Sequence, residues 1–350
     1  MRARKTRGIY DRLSYSFIEI IEKIQETQGL PTITGLAEDM GLHVSTLWRR
    51  IKTLHDYDVK FAADINYTGL GINRLLVYLK STLSGEFYNI PFLEYSMPLI
   101  PKGVILQFAV TQNKINDLLN SLSLKIPQDS EVYLFEYYYH SKPNLRVFYD
   151  IIDRKVKPKW DYLMDSIKAA EFHRLPLPKR GIKYDEIDLF ILEQLQTDPF
   201  VSMREIAKKL QDAVAVREWA IQPVYSNVTY SRVRRHFINH IIGKGMVNGV
   251  HIKLRHPSSN MEMIIVYFTN EGMAHKIASV FSEHPYTKYG LVNGEGDRGL
   301  ISISVPAMYV RGLLDLLDKL LEAGIIKGWD ALIVDSYNVK ERRVSFKNYI

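Results

Sequence analysis

Near its start the chain has an amphipathic pattern, in which apolar residues recur every three or four positions over residues 14–28. This spacing predicts a helix with one buried face. The residues on that face are Phe17, Ile20, Ile21 and Ile24. Gly29 and Pro31 predict the end of the helix, because both residue types interrupt helices. The pattern then predicts a short second helix over 33–40 and a third helix over 42–54.

The same order of elements recurs in the second half of the chain. A helix is predicted over 184–195, and Ser202 is a predicted N-cap of the next helix, with Glu205 at the capping-box spacing. The segment 228–240, VTYSRVRRHFINH, predicts the third helix. Three such helices are typical of a helix-turn-helix domain, whose last helix enters the major groove of DNA.

Each trio of helices is followed by a β-like segment, at 59–66 and at 246–254, which would form a wing. The strands and helices after the second wing follow the order βαββαβ, which is the ferredoxin-like pattern. The first copy has a weaker first helix, near Phe87–Tyr95, because Pro91 interrupts it. The predicted fold class is α+β, with two winged helix-turn-helix domains and two ferredoxin-like sheet domains in tandem.

These patterns also predict the domain boundaries. The expected segments are a winged helix at 1–66, a divergent ferredoxin-like domain at 67–140, a linker with a helix at 141–183, a winged helix at 184–256 and a ferredoxin-like domain of the ligand-sensing type at 257–350. Relative to the first half, the second winged helix carries an insertion at about 211–227, whose role the sequence does not indicate.

Charge and composition exclude some classes of function but do not identify one. The net charge is +7 and the pI is about 9.2, which is compatible with a polyanion partner without requiring one. The chain contains no cysteine, which excludes disulfides, thiolate metal sites and cysteine nucleophiles. It has no run of eighteen apolar residues and no signal-peptide pattern, so we expect a cytoplasmic protein without a membrane partner.

The outward faces of the two third helices carry the side chains expected to bind DNA. In the first they are His43, Ser45, Thr46, Arg49 and Arg50; in the second, Thr229, Tyr230, Ser231, Arg232, Arg235 and His236. Arginine binds guanine or phosphate with two hydrogen bonds, and short hydroxyl side chains reach bases or phosphates. Wing residues expected to contact phosphate are Lys60, His251, Lys253 and Arg255. A solvated basic helix, or a winged helix that docks on a protein, would show the same pattern.

Three motifs of the second half resemble the leucine-responsive regulator family, Lrp/AsnC. They are YDEIDLFILEQLQTD at 184–198, SMREIAKKL at 202–210 and VTYSRVRRHFINHIIGKGMVNG at 228–249. The resemblance is weaker in the first half, where TGLGINRLLVYLKS at 68–81 is similar to the hinge between the family's two domains. It implies a tandem, fused transcription regulator of the archaeal type that binds double-stranded DNA.

The turn NGEGDRG at 293–299 resembles the glycine-acid turn of the family's ligand-sensing domain. Gly294 and Gly296 permit close backbone approach, so exposed N–H groups could cradle the carboxylate of a small effector such as an amino acid. Asp297 would meet the effector's ammonium group. A plain β-turn with an acidic tip is the alternative interpretation. The first-half counterpart, near 98–103, lacks both the acid and the paired glycines.

No other motif indicates a cofactor, a metal site or an enzyme. His236 and His240 have the i, i+4 spacing of metal ligands, but the sequence shows no third ligand nearby. We therefore predict a DNA-binding regulator that is not an enzyme and has no cofactor. One chain would act as an internal pseudo-dimer, or two as a homodimer. The alternatives are a tetrapyrrole decarboxylase of the sirohaem decarboxylase type, whose layout is similar, and a protein-docking scaffold.

Overall fold

The computed structural model describes residues 13–80, 90–123, 127, 129–169, 181–216, 219, 228–254, 259–342 and 344–349. Its helices are α1 (Tyr15–Glu26), α2 (Ile33–Asp39), α3 (Val44–Asp56), α4 (Ile115–Ser123), α5 (Leu145–Phe148), α6 (Trp160–Ala169), α7 (Glu186–Thr197), α8 (Met203–Ala215), α9 (Tyr230–His236), α10 (Met273–Ser282) and α11 (Ala307–Glu322). A π-helix, Phe237–Ile242, continues α9, and 3₁₀ helices lie at Gln112–Lys114 and Phe346–Tyr349.

The strands in the same part of the chain are mostly of ordinary length. They are β1 (Val59–Ile65), β2 (Ile72–Leu79), β3 (Leu93–Ile100), β4 (Val104–Thr111), β5 (Glu131–Phe135), β6 (Tyr137–His140), β7 (Tyr149–Asp150), β8 (Lys155–Val156), β9 (Val247–Leu254), β10 (Asn260–Thr269), β11 (Thr287–Val292), β12 (Arg298–Pro306), β13 (Ile326–Val334) and β14 (Lys340–Glu341).

The chain divides into two compact units, and each unit draws on both halves of the sequence. Unit 1 takes its residues from Met1–Phe61, Tyr139–Arg174 and Val250–Ile333; unit 2 takes them from Ala62–Tyr138, Leu175–Gly249 and Val334–Ile350. Helices α1–α3 therefore share a unit with the strands of the second half, β10–β13. In the same way, α7–α9 share a unit with the strands of the first half, β2–β5.

The sheet of unit 2 has the strand order β5-β2-β4-β3, with β14 added beside β3. Leu75 of β2 pairs with Phe108 of β4 on one side and with Leu134 of β5 on the other, and both pairings are antiparallel. Leu118 and Leu122 of α4 pack into the same buried core. Removing such side chains from water stabilises the fold by about 25 cal/mol per Å² of apolar surface.

The helix that the sequence predicted near Phe87–Tyr95 is wrong from Leu93 onward. Leu93 begins β3 and pairs with Phe108 of β4. Residues 87–89 lie outside the described residues. The strand pairing supplies the backbone hydrogen bonds that a helix would otherwise supply, and local propensity is a weak guide against such tertiary pairing.

The sheet of unit 1 has the order β13-β10-β12-β11-β6, and β6 contributes Tyr139 and His140 to this unit. Ile265 of β10 pairs with Ile301 of β12, and Leu291 of β11 pairs with Leu300. In unit 2, β2 lies between β5 and β4, and in unit 1, β10 lies between β13 and β12. In each sheet the first strand of the βαββαβ motif thus lies between its fourth and third strands, which is the ferredoxin-like arrangement. The predicted fold class, α+β with winged helices and ferredoxin-like domains in tandem, is confirmed.

Within unit 1, the segment 141–169 contacts both the first winged helix and the sheet domain. Arg146 of α5 forms an ion pair with Glu22 of α1. On the sheet side, the indole of Trp160 stacks on the His284 imidazole at 4.9 Å. The described part of the predicted linker, 141–169, therefore packs on both the first winged helix and the sheet within this unit.

Within unit 2, the second winged helix packs on the first-half strands through polar and aromatic contacts. Gln196 of α7 donates a hydrogen bond of 2.9 Å to the hydroxyl oxygen of Tyr67, which precedes β2. At the other face of α7, Phe190 meets the buried indole of Trp219 edge-on at 5.1 Å. Trp219 belongs to the predicted insertion 211–227, and its side chain is buried against α7.

Candidate nucleic-acid interface

Helix α3 presents one buried and one open face, as the sequence predicted. Its buried residues are Leu47, Ile51 and Leu54. The side chains of His43, Ser45 and Arg49 are exposed, and those of Thr46 and Arg50 are half-buried. His43 is the N-cap, and its Nδ1 atom accepts a hydrogen bond from the backbone N–H of Ser45. The helix thus begins with a polar cluster at the end that points toward bases in this fold.

Helix α9 has the equivalent arrangement in unit 2. Val233 is buried, whereas Thr229, Tyr230, Ser231 and Arg235 are exposed and Arg232 is half-buried. Thr229 is the N-cap, and its hydroxyl oxygen accepts a hydrogen bond from the backbone N–H of Arg232. The predicted outward residues of α9 are therefore on its open side, with one exception.

The exception is His236, and the prediction that it faces outward is wrong. Its side chain is buried, and its Nδ1 atom lies 2.9 Å from a carboxylate oxygen of Asp188 on α7. His240, four residues on, approaches the same carboxylate at 2.8 Å. His236 lies three residues after the buried Val233 and therefore on the same face of α9, and His240 lies in the π-helix that begins at Phe237.

Sequence reasoning missed an aromatic residue on the open face of α3, although it included Tyr230 of α9. Trp48 of α3 is 50% exposed, although tryptophan is usually largely buried. On unit 2, the guanidinium of Arg204 lies 6.0 Å from the ring centre of Tyr230. The exposure of Trp48 could have been predicted from the pattern, because Trp48 directly follows the buried Leu47 and lies off the face that Leu47, Ile51 and Leu54 share.

The predicted wing residues divide into two groups. Lys60 and Lys253 are exposed, as a phosphate contact requires. His251 is buried and lies 4.0 Å, centre to centre, from the His140 ring, so its predicted phosphate contact is wrong. Arg255 lies outside the described residues.

The exposed arginines Arg49 and Arg235 differ from the buried Arg74 in whether a carboxylate neutralises their charge. Arg74 is almost fully buried, and its Nε atom lies 2.7 Å from a carboxylate oxygen of Glu94. Within the described ranges, neither Arg49 nor Arg235 has a carboxylate partner. A cation that no protein carboxylate neutralises can neutralise a phosphate and release its counterion.

The glycine-acid turn forms the loop between β11 and β12, and its backbone is engaged by α10. The carbonyl of Gly296 accepts from the N–H of Ala274, and that of Glu295 accepts from the N–H of Gly272. A Cβ atom on Gly296 would lie 2.9 Å from the backbone of Gly272. The turn therefore caps the first turn of α10, and this packing requires a glycine at 296.

The other two predicted ligand residues differ in their surroundings. Gly294 is exposed, whereas Asp297 is half-buried and accepts a hydrogen bond of 2.7 Å from the side-chain amide of Asn293. The effector role of Gly294, Gly296 and Asp297 stays a prediction. For the described residues, we find no helix that is both long enough and apolar enough to span a membrane.

No protein-family model and no curated protein matches this chain. A crystal structure of the siroheme decarboxylase NirDL, in co-complex with an iron-uroporphyrin III analogue, matches 95% of this chain and 97% of its own, with 14% identity and a TM-score of 0.48. A crystal structure of the protein PH0061 covers 46% of this chain and 98% of its own, with 17% identity and a TM-score of 0.30.

These matches bear on the fold and do not assign an activity to this chain. One expectation from the sequence nevertheless needs correction. The prediction that the chain is not an enzyme is contradicted, because the protein that matches 95% of the chain is a decarboxylase.

Proposed function

We propose that this protein is a transcription regulator that binds double-stranded DNA through α3 and α9. The observation that carries the proposal is the presence of two recognition helices, each with exposed arginine and hydroxyl side chains opposite a buried apolar face. Each compact unit contributes one of these helices. The N-terminal part of each helix would enter the major groove, where hydrogen-bond donors distinguish the four base pairs.

The two helices would prefer different half-sites. Helix α3 offers Ser45, Trp48 and Arg49 on its open face, whereas α9 offers Ser231 and Arg235. Different side chains match different donor and acceptor patterns on the base edges. A single chain is therefore expected to select an asymmetric DNA sequence, unlike the palindrome that a symmetric dimer selects.

Binding-site selection from random duplex DNA, followed by a salt titration on the selected sequence, tests the proposal. We expect an asymmetric consensus, and we expect log K to fall linearly with log salt concentration by about 0.9 for each neutralised phosphate. Recovery of no consensus, with equal affinity for all sequences, would remove the sequence-specific function. A palindromic consensus would instead indicate that two chains bind one DNA site as a symmetric dimer.

A titration of the same protein with iron-uroporphyrin III, monitored by visible absorbance, distinguishes the regulator from a tetrapyrrole-dependent protein. The regulator proposal requires that the protein still binds the selected DNA when the tetrapyrrole is present. Stoichiometric uptake of the tetrapyrrole by a protein that leaves duplex DNA unbound would replace the regulator with a tetrapyrrole-dependent function.

A further inference from the structure

Four side chains of unit 2 converge at the start of α7. Asp185 is the N-cap of α7 and Asp188 lies in its first turn; His236 ends α9 and His240 lies in the π-helix that follows. One potential metal-ligand atom from each of the four lies within 4.8 Å of all the others. The sequence alone had provided only the two histidines.

The cluster is more deeply buried, and contains more side chains, than helix capping alone requires. A capping box joins Asp185 to Asp188: the Asp185 carboxylate accepts from the N–H of Asp188, and the Asp188 carboxylate accepts from the N–H of Asp185. That motif needs no histidine. Here the Asp188 side chain has no solvent exposure, and an imidazole Nδ1 atom faces each of its two oxygens.

The histidines reach this position through an unusual piece of helix. The π-helix Phe237–Ile242 begins directly after His236 and contains His240. Such segments are rare and are often found at functional sites. His236 is buried and His240 is 31% exposed, so one edge of the cluster reaches solvent. A small ion has a route of entry at His240.

We propose that Asp185, Asp188, His236 and His240 form a binding site for a divalent transition-metal ion of the Zn²⁺ class. The ligand set contains two imidazole nitrogens and two carboxylate oxygens, all of which Zn²⁺ accepts. With bonds of about 2.1 Å, the edges of a zinc tetrahedron measure about 3.4 Å. The observed separations are 2.8 Å from His240 to Asp188, 2.9 Å from His236 to Asp188 and 3.5 Å from His236 to Asp185.

Charge and ligand type favour this class of ion over others. Two carboxylates and two neutral imidazoles carry two negative charges, which a divalent cation cancels inside a largely buried site. Ca²⁺ and Mg²⁺ prefer oxygen ligands only, whereas imidazole suits Zn²⁺, Ni²⁺ and Cu²⁺. The metal would take the place of the hydrogens between the Nδ1 atoms and Asp188, so each neutral imidazole would bind the ion through Nδ1 and carry its hydrogen on Nε2.

The bound ion would join the first turn of α7 to the end of α9. Because a site assembled from two helices is absent from the unfolded chain, metal binding stabilises the folded second winged helix. This inference goes beyond the proposed DNA binding and does not depend on it. Metal affinity and DNA affinity are measured separately, so either can fail alone.

Calorimetric titration of the chelator-treated full chain with Zn²⁺ tests the site. We expect one Zn²⁺ per chain. His240→Gln and Asp185→Asn should each weaken the affinity by at least about tenfold. His55→Gln is the matched control, because His55 is an exposed histidine near the end of α3 and should bind as the wild type does. Absence of stoichiometric Zn²⁺ binding, or equal affinity in all variants, would overturn the proposal.

Substitution of the wild-type site with Co²⁺ gives a second readout that needs no variant. A tetrahedral Co²⁺ site with nitrogen and oxygen ligands absorbs visible light strongly, whereas hexa-aqua Co²⁺ absorbs weakly. We expect an intense band that saturates at one equivalent and disappears on addition of Zn²⁺. A weak, non-saturating spectrum would overturn the site even if a variant failed to fold.

Discussion

The guanidinium of Arg74 and the carboxylate of Glu94 form an ion pair of 2.7 Å in which both side chains are almost fully buried. The side-chain amide of Gln107 donates to the same Glu94 oxygen, and the centre of the Tyr67 ring lies 4.2 Å from the guanidinium carbon. Burial acts to lower the pKa of Arg74, but the Glu94 charge raises it on balance. Burial also raises the pKa of Tyr67 to about 12. The ionised pair is thus the stable state of this core.

Replacement of Glu94 by Gln is expected to destabilise the protein by about 3–5 kcal/mol, because it leaves a buried guanidinium without its counter-charge. Urea unfolding at neutral pH measures the change. Glu131→Gln is the matched control, since Glu131 pairs with Lys80 at 2.7 Å in a half-exposed position. We expect the control to lose at most about 1 kcal/mol. Equal losses in both variants would contradict this account of the buried pair.

Alanine substitutions of Arg49 and Arg235 are expected to weaken binding to the selected DNA by about 1–3 kcal/mol each, if each arginine contacts a guanine. Fluorescence anisotropy with labelled duplexes measures the affinities. Arg311→Ala is the control, since Arg311 is exposed on α11 and belongs to neither recognition helix. A loss in the control as large as in the other two would mean that overall charge, and not the recognition helices, determines the affinity.

Gly296→Ala is expected to destabilise the protein by about 1–2 kcal/mol, because residue 296 has a left-handed backbone conformation with a φ of +70°. The added Cβ atom would also press on the backbone of Gly272. Gly328→Ala provides the control, since a Cβ atom there meets open space and needs no positive φ. Thermal unfolding of both variants without effector measures the difference. Equal stability of the two would show that the turn tolerates a side chain.

The stability of unit 1 is expected to depend on pH through His284. Burial lowers the pKa of His284 from 6.5 to about 3, and the hydrogen bond to the Pro158 carbonyl offsets this only in part. Below pH 6.5 the unfolded chain therefore binds a proton that the folded chain does not bind. The free energy of unfolding should fall as the pH falls from about 6.5 toward 3.

Chemical unfolding of the wild type and of His284→Gln at a series of pH values isolates this contribution. The variant should be less stable at neutral pH, because it loses the stacking of His284 on Trp160. It should also lose stability more slowly on acidification, since glutamine does not titrate. Parallel pH profiles for the two proteins would assign the acid sensitivity to other groups.

Much of the fold could be predicted from the sequence because helix and strand periodicity are local properties. The apolar spacing of Ile20, Ile21 and Ile24 predicted α1, and these three side chains are buried. The ferredoxin-like order of β10–β13 was likewise predicted. The error at Leu93 arose because strand pairing with β4, and not the preference of the local sequence, determines the backbone there.

The candidate interface could be predicted to a similar extent, and for the same reason. Helical spacing placed Arg49 and Arg235 opposite the buried residues Leu47 and Val233, which is where the structure has them. The prediction that His236 faces outward was wrong, because His236 lies three residues after the buried Val233 and therefore on the same face of α9. Periodicity also assumes a constant helix type, so it did not predict the π-helix that begins at Phe237.

The sequence by itself determined the repeated elements, their amphipathic faces and the basic side chains on the open faces of α3 and α9. Only the tertiary structure decided which helices share a compact unit with which strands, since local patterns do not encode partners distant in the chain. It also brought Asp188 to His236 and His240, which lie 48 and 52 residues away in sequence. The physical reason is that the packing of apolar faces is non-directional. One apolar face therefore does not specify its partner, and the complete set of buried contacts determines which helices and strands pack together.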